Sequence, residues 1–146
     1  MKIFRAALKE IDLVSTLFNE YRIFYGKQAD LEGAKTFIEE RMRFNESVIF
    51  LAMDGESPMG FVQLYPIFKS VGMKRKWLLN DLFVAETYRR HGVGKALMNQ
   101  AKEFALETKA AGILLETTKD NTKAQALYEQ LGYVKEDAVF FYNLSL

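Results

Sequence analysis

Arg89-Arg90-His91-Gly92-Val93-Gly94-Lys95 holds the residue types that bind an anion. It comes after an apolar run, Trp77–Val84, and opens a segment, Val93–Thr108, with Leu97, Ala101, Phe104 and Ala105 at helical spacing. Glycine lets backbone N–H groups approach a ligand with no Cβ in the way. The first turn of a helix adds unpaired donors and the positive end of its dipole. Strand, basic glycine turn and helix together form an expected phosphate seat. Arg89, Arg90 and Lys95 add charge, and charge-assisted hydrogen bonds are roughly twice as strong as neutral ones. His91 is the only histidine. Its place in this turn predicts solvation or a phosphate contact rather than general-base chemistry, and no spacing supplies it with metal-binding partners. Taken alone the turn is a weak signal, since Gly92 and Gly94 could simply end a loop.

The elements that must position this turn can be read from periodicity. Lys2–Ala6 reads as a strand, Ile11–Tyr25 and Leu31–Phe44 as amphipathic helices, and Ser47–Met53 and Gly60–Tyr65 as a hairpin around Asp54–Pro58. Pro66–Lys76 reads as a loop carrying Lys74-Arg75-Lys76. Trp77–Val84 is expected as a central strand and Gly112–Thr117 as a buried one. Asp120 or Asn121 caps a helix that runs to Leu131 and stops at Gly132. Tyr133–Lys135 and Val139–Leu144 are expected to close the chain as a hairpin. The order β-α-α-β-β-β-α-β-α-β-β predicts an α/β fold with a mixed sheet covered by helices. At 146 residues one domain, 1–146, is expected.

Composition removes several function classes. A net charge of +1 gives no footprint for nucleic acid. With no cysteine there is no disulfide, thiolate metal site or cysteine nucleophile. No apolar run approaches the ~20 residues needed to span a bilayer. Without a signal-peptide pattern at Met1-Lys2-Ile3-Phe4-Arg5, a cytoplasmic protein without membrane partners is expected.

Three phosphate motifs compete for the turn. A P-loop ends Gly-Lys-Ser/Thr. Gly94-Lys95 fits, but Arg89 stands at the first glycine and Ala96 at the magnesium-binding hydroxyl. The dinucleotide fingerprint needs a third glycine where Leu97 stands. The third pattern, Arg/Gln-x-x-Gly-x-Gly/Ala, matches Arg89-x-x-Gly92-x-Gly94. Beyond it come Asn121, Ala124, Tyr128 and Leu131-Gly132-Tyr133 in order, with a strand between. On these two motifs, residues 77–143 resemble the GNAT superfamily of N-acetyltransferases, and the N-terminal half resembles it in element order.

That resemblance implies the GNAT fold, acetyl-CoA as co-substrate, no metal, and transfer of acetyl to a primary amine of a small-molecule or peptide acceptor. It implies cofactor contacts at the backbone of Leu82, Phe83 and Val84, along Arg89, Arg90, His91, Gly92, Val93, Gly94, Lys95 and Ala96, and at Asn121 and Tyr128. Tyr128 takes the general-acid position, protonating the leaving thiolate. Free tyrosine near pKa ~10 and thiol near ~8.5 make full transfer uphill by about 2 kcal/mol, so a strong hydrogen bond, a lowered pKa or a late transfer is needed. Asn121 reads as an N-cap, as a pantetheine contact, or as both. Dimerisation through the last strands is common in the family, and this chain carries no direct sign of it.

The base is the departure. Leu79-Asn80-Asp81-Leu82-Phe83-Val84 is similar to the Glu-Asp-Phe-Phe-Val strand of diamine acetyltransferases, with Asn80 in place of the glutamate. Asp81 is next, turned by the pleat to the opposite face. A water chain, Asp81 after a bulge, Glu86, Glu116 or deprotonation in bulk could substitute. Tyr21, Phe24, Tyr25, Tyr65, Phe141 and Tyr142 are candidates to frame the acceptor, though helical spacing makes most of Tyr21–Tyr25 core. Two other classes stay open: a non-catalytic acyl-CoA-binding or sensor domain, and an interaction domain with an idle pocket.

Overall fold

Apolar runs and the turns between them build one sheet in the first of two compact units, Met1–Leu115, while Glu116–Leu146 forms the second. The computed structural model describes residues 1–146. The sheet contains β1 (Lys2–Arg5), β2 (Val48–Asp54), β3 (Ser57–Lys69), β4 (Lys74–Val84) and β5 (Ile113–Leu114), in that spatial order. β1 to β4 pair antiparallel and β5 joins β4 in parallel. Helices α1 (Ile11–Phe24) and α2 (Leu31–Arg43) connect β1 to β2. Helix α3 (Val93–Glu107) makes the crossover from β4 to β5. In the second unit, α4 (Thr122–Gln130) is the one regular element. This is the mixed α/β architecture expected from the sequence.

Period-two alternation divides the sheet's side chains between two faces. Ile49, Leu51, Met53, Phe61 and Phe83 form a core with Val14 and Leu17 of α1 and Ile38 of α2. Phe50 and Trp77 point the other way. They pack on Phe104 of α3, with ring centroids 5.4 and 5.0 Å apart. Fully burying one such side chain contributes about 1.5–3 kcal/mol. Trp77 Nε1 also donates to Thr108 Oγ1 at 2.9 Å, which fixes the end of α3 against β4.

Two irregularities shape β4's surroundings. The β3–β4 ladder pairs Gln63 with Asp81 and Leu64 with Leu79, leaving Asn80 as an extra residue. Such a bulge changes the facing of the residues beyond it. Leu79 belongs to the α3 face, whereas Asp81 and Phe83 belong to the α1–α2 face. Near the end of β4, β3 comes so close at Gly60 that a Cβ there would collide with the Phe83 carbonyl. Gly60 therefore allows the close approach that holds this end of the strand.

Three expectations need correction. Pro66–Lys76 is not a loop, because Pro66–Lys69 pairs with Lys74–Trp77 and only residues 70–73 turn. β2 ends its pairing at Val48 opposite Leu64, so Pro66 lies where β3 has become an edge, and an edge tolerates a missing N–H. The buried strand at Gly112–Thr117 shortens to the two residues of β5. The closing hairpin of Tyr133–Lys135 and Val139–Leu144 is not formed. Val139, Phe140, Phe141 and Tyr142 are apolar at consecutive positions and all exposed, so no single face directs them to a core. A two-stranded hairpin without a third strand or a helix to pack on is marginal in water.

Candidate active site

The glycine turn folds into an amide cradle. A short 3-10 turn, Glu86–Tyr88, carries the chain from β4 to Arg89. Arg90 and Gly92 then take left-handed φ of 65° and 77°. A Cβ at Gly92 would meet nothing within 4 Å, so the backbone angle and not space calls for glycine there. Gly92 caps α3, and its carbonyl accepts the first helical bond, from Ala96 N–H at 3.0 Å. The amides of Gly92, Val93, Gly94 and Lys95 thus have no helical acceptor. Val93 and Leu97 are buried anchors, while Arg90, His91 and Lys95 reach solvent. A Cβ on Gly94 would sit 3.8 Å from Val84 Cγ2, so the first turn of α3 runs beside the end of β4.

Arg89 behaves differently from its neighbours. Its Nε donates to the Val84 carbonyl at 3.1 Å. Its guanidinium lies 5.0 Å from the Phe24 ring centroid and 5.8 Å from that of Phe83. It ties α1 to β4.

Beside the cradle, β4 has a free edge. β5 pairs only with Trp77 and Leu78, so Leu79–Val84 has no strand on that side. Ala85 N–H bonds to Met59 on the β3 side at 2.9 Å. Alternation then turns the backbone of Leu82 and Val84 to the open edge and that of Phe83 to β3. Of the three backbones expected to contact the cofactor, those of Leu82 and Val84 face the open edge and that of Phe83 faces β3. The Val84 carbonyl is already taken by Arg89.

The bulge builds a second constellation on the α1–α2 face. Asp81 is 6% exposed and Gln63 is 0% exposed. Gln63 Nε2 donates to Asp81 Oδ2 at 2.7 Å, and Asn80 Nδ2 donates to Oδ1 at 3.1 Å. Asn80 and Asp81 therefore do not diverge to opposite faces as a regular pleat would require, because the bulge interrupts the alternation between them. Glu86 and Glu116, the other carboxylates considered as base, are exposed.

Next along β3, Tyr65 is half-buried, and its hydroxyl is pushed up to about 12 by burial and then by the Asp81 charge, with Arg41 opposing. Tyr65 and Pro66 line an open cleft of about 540 Å³ with Phe37, Arg41, Asn45 and Glu46. Arg41 lies 4.5 Å over Phe37 and reaches Glu40 at 3.1 Å and Glu46 at 3.3 Å. Gln63 and this Arg41 arrangement were missed in the sequence. The available signal was one amide residue inside the apolar strand Gly60–Leu64. Its meaning depends on the bulged register that sets it opposite Asp81.

The aromatic candidates separate. Tyr21 packs against Phe61 and Phe83 with centroids 5.9 Å from each. Phe24 and Tyr25 are exposed, as are Phe141 and Tyr142.

In the second unit, Asn121 caps α4, its Oδ1 accepting from Ala124 N–H at 3.3 Å. Its N-cap role is thus present. Tyr128 lies on α4 with its ring centroid 6.1 Å from that of Tyr133. The Tyr133 hydroxyl is buried without a partner, and burial, then Tyr128, pushes it up to about 12.

A free strand edge next to an amide-rich helix start, on this topology, defines an acyltransferase scaffold. Residues 14–133 match the model of the acetyltransferase (GNAT) family. All 146 residues align at 41% identity with the uncharacterized N-acetyltransferase YhfO of Bacillus subtilis (strain 168), covering 98% of it. A probable acetyltransferase of Haemophilus influenzae is 33% identical over 100% of this chain and 99% of its own. The crystal structure of a probable acetyltransferase superposes with a TM-score of 0.95 at 42% identity, covering 100% of this chain and 98% of that one. An aminoglycoside acetyltransferase from an uncultured soil metagenomic sample shares the fold, with a TM-score of 0.86 at 19% identity over 99% of this chain and 95% of that one. The chain belongs to the GNAT family of acetyltransferases. No helix is long and apolar enough to cross a membrane.

Proposed function

We propose that this acetyltransferase moves the acetyl group of acetyl-CoA to a primary amine by direct attack in a ternary complex. The observation that carries the proposal is the pairing of the α3 amide cradle with the open edge of β4. Four amides without helical acceptors, beside the charges of Arg90 and Lys95, suit a doubly anionic pyrophosphate. The outward backbone of Leu82 and Val84 N–H suits a pantetheine arm, whose two amides can add to a sheet edge as a strand does. The thioester supplies an activated acyl group with a thiolate leaving group. Tyr128 is the residue proposed to offer that thiolate a proton, and Asn121 to contact the pantetheine beside its capping role. His91, exposed in the turn, is left to the phosphates or solvent.

Isothermal titration with acetyl-CoA and with dephospho-CoA tests binding, and thiol release with butylamine, 1,4-diaminobutane, L-lysine and glycylglycine tests turnover. Binding with thiol release on at least one amine is expected. Failure to bind acetyl-CoA overturns the proposal. Binding without release on any amine supports a non-catalytic acyl-CoA sensor instead.

A further inference from the structure

The end of the β3–β4 ribbon carries features that acetyl transfer does not use. β2 stops pairing at Leu64 and β5 reaches only Trp77 and Leu78, so residues 67–69 and 74–76 stand as two strands alone. The overall charge of +1 averages over a local asymmetry. From Ser57 to Asn80 the chain has four cations, Lys69, Lys74, Arg75 and Lys76, and no carboxylate. None of the four forms an ion pair. Lys69 and Lys74 face each other across the ladder, where like charges repel. Arg75 lies over the Phe68 and Trp77 rings at 5.7 and 5.1 Å, so its charge meets π faces and no anion. Phe68, Lys69, Ser70, Met73, Lys74 and Arg75 line an open cleft of about 340 Å³.

The tip of the ribbon is apolar. Val71 is fully exposed, Met73 is 90% exposed and Phe68 70% exposed. Residues 70–73 make the turn, closed by Met73 N–H donating to the Ser70 carbonyl at 3.1 Å. The left-handed residue of this turn is Met73, with φ of 51°, while Gly72 beside it has no such angle. A bulky side chain in that region is strained. Folding gains nothing from an exposed methionine held in strain, so its use lies outside the chain.

We propose that this ribbon docks the protein on an anionic bilayer surface, with Val71 and Met73 entering the headgroup boundary and Lys69, Lys74 and Arg75 on lipid phosphates. Charge complementarity selects an anion. The unpaired cations attract it, and the rest of the chain, which is net negative, is repelled by it. The tip selects a bilayer among anions. Nucleic acid would use the cations but not the aliphatic Val71 and Met73, because bases stack on rings, and the ring of Phe68 already lies under Arg75. An acidic protein would need a pocket cut to the tip, whereas acyl chains conform to it. The ribbon thus lies on the bilayer and does not cross it.

Flotation of the full chain with vesicles tests this docking. Binding is expected to vesicles of equal parts phosphatidylcholine and phosphatidylglycerol, with little to phosphatidylcholine alone. It should be lost at ~1 M salt, where the Debye length shrinks to about 3 Å. The double variant Lys69→Ser, Lys74→Ser should lower partitioning about tenfold or more, since each cation at an anionic surface is worth about a factor of five. Met73→Gly should lower it several-fold while Tm holds or rises, because glycine takes the left-handed angle without strain. Calorimetry should show acetyl-CoA affinity unchanged in both variants. Free glycerol phosphate should not displace the vesicles, and displacement would mean a small-anion site instead. Tighter binding of polyuridylate than of the anionic vesicles would assign the ribbon to nucleic acid and overturn the docking. Equal binding to neutral vesicles, insensitivity to salt, or full partitioning by both variants would overturn it too.

Discussion

The two ends of this site are made from different materials. The cradle at the start of α3 is backbone: amides left over by a helix, shaped by left-handed Arg90 and Gly92. The cluster at the β4 bulge is side chain: Gln63, Asn80 and Asp81, brought together by a register shift. Amides at a helix start recognise negative charge whatever the side chains are, which suits a co-substrate shared by a whole family. Side chains on a bulge can be exchanged one at a time, which suits an acceptor that differs between relatives. Changes at one end should therefore leave the other end nearly untouched.

The largest break in that comparison is expected from Asp81→Asn. It keeps the shape and removes the carboxylate. If Asp81, one of the candidate bases, takes the amine's proton, kcat/KM for the amine falls about 10²–10⁴-fold, the range typical of a lost general base. Calorimetry should show acetyl-CoA affinity within about twofold of the parent. Tyr128→Phe comes next, with kcat reduced about 10²-fold and acetyl-CoA affinity kept, as expected for the loss of one proton donor. An unchanged kcat would remove Tyr128 from the chemistry.

Gly92→Ala tests the other end. A side chain forced into the left-handed region costs about 1–2 kcal/mol. If the free turn sheds that strain by leaving the cradle conformation, acetyl-CoA must restore it, and binding weakens by roughly tenfold, since 1.4 kcal/mol is a factor of ten. The KM for the amine should not move. Gly94 has an ordinary contact for a Cβ, at 3.8 Å from Val84, so Gly94→Ala should fold with an unchanged Tm. A matching loss of amine recognition in Gly92→Ala would mean that the two ends are coupled.

This division also explains what could be read without coordinates. The cradle is contiguous: strand, glycine turn and helix succeed one another from Trp77 to Leu97, so spacing alone exposes them. The helices α1, α2 and α3 were legible for the same reason, since each has a period of its own, and β2 was legible from its β-branched and aromatic residues. Asp81 after a bulge was among the candidate bases, but its pairing with Gln63 was not legible, because the two are 18 positions apart. Whether they meet depends on the skipped Asn80. A regular pleat sends Asp81 the wrong way, and nothing local to Leu79–Val84 marks the bulge. Pro66 misled in a similar manner. Its missing N–H breaks a central strand but is harmless beyond the last β2 pair, and strand order decides which applies. The exposed Val139–Tyr142 run shows the converse: apolar residues without a period do not identify the partner they need.

The smallest effect, and the finest test of separation, lies in the titration of Tyr65. Its hydroxyl is raised to about 12, first by burial and then by Asp81. An unfolded tyrosine ionises near pH ~10. The folded state thus keeps a proton that the unfolded chain gives up between those values. Stability from this group is complete below about pH 10 and declines as pH rises toward 12. Tyr133, raised likewise, adds to the same decline. Thermal melts should therefore show Tm falling over that alkaline window, with Tyr65→Phe blunting the fall and leaving pH 7 behaviour alone. Removing the Asp81 charge should move the Tyr65 titration downward, read by tyrosinate absorbance against the Tyr65→Phe background, with burial keeping it above the free value. Gly92→Ala should leave that titration in place. A shift of Tyr65 by the glycine variant, or none by Asp81→Asn, would show that the field at the amine end is not set by the bulge carboxylate.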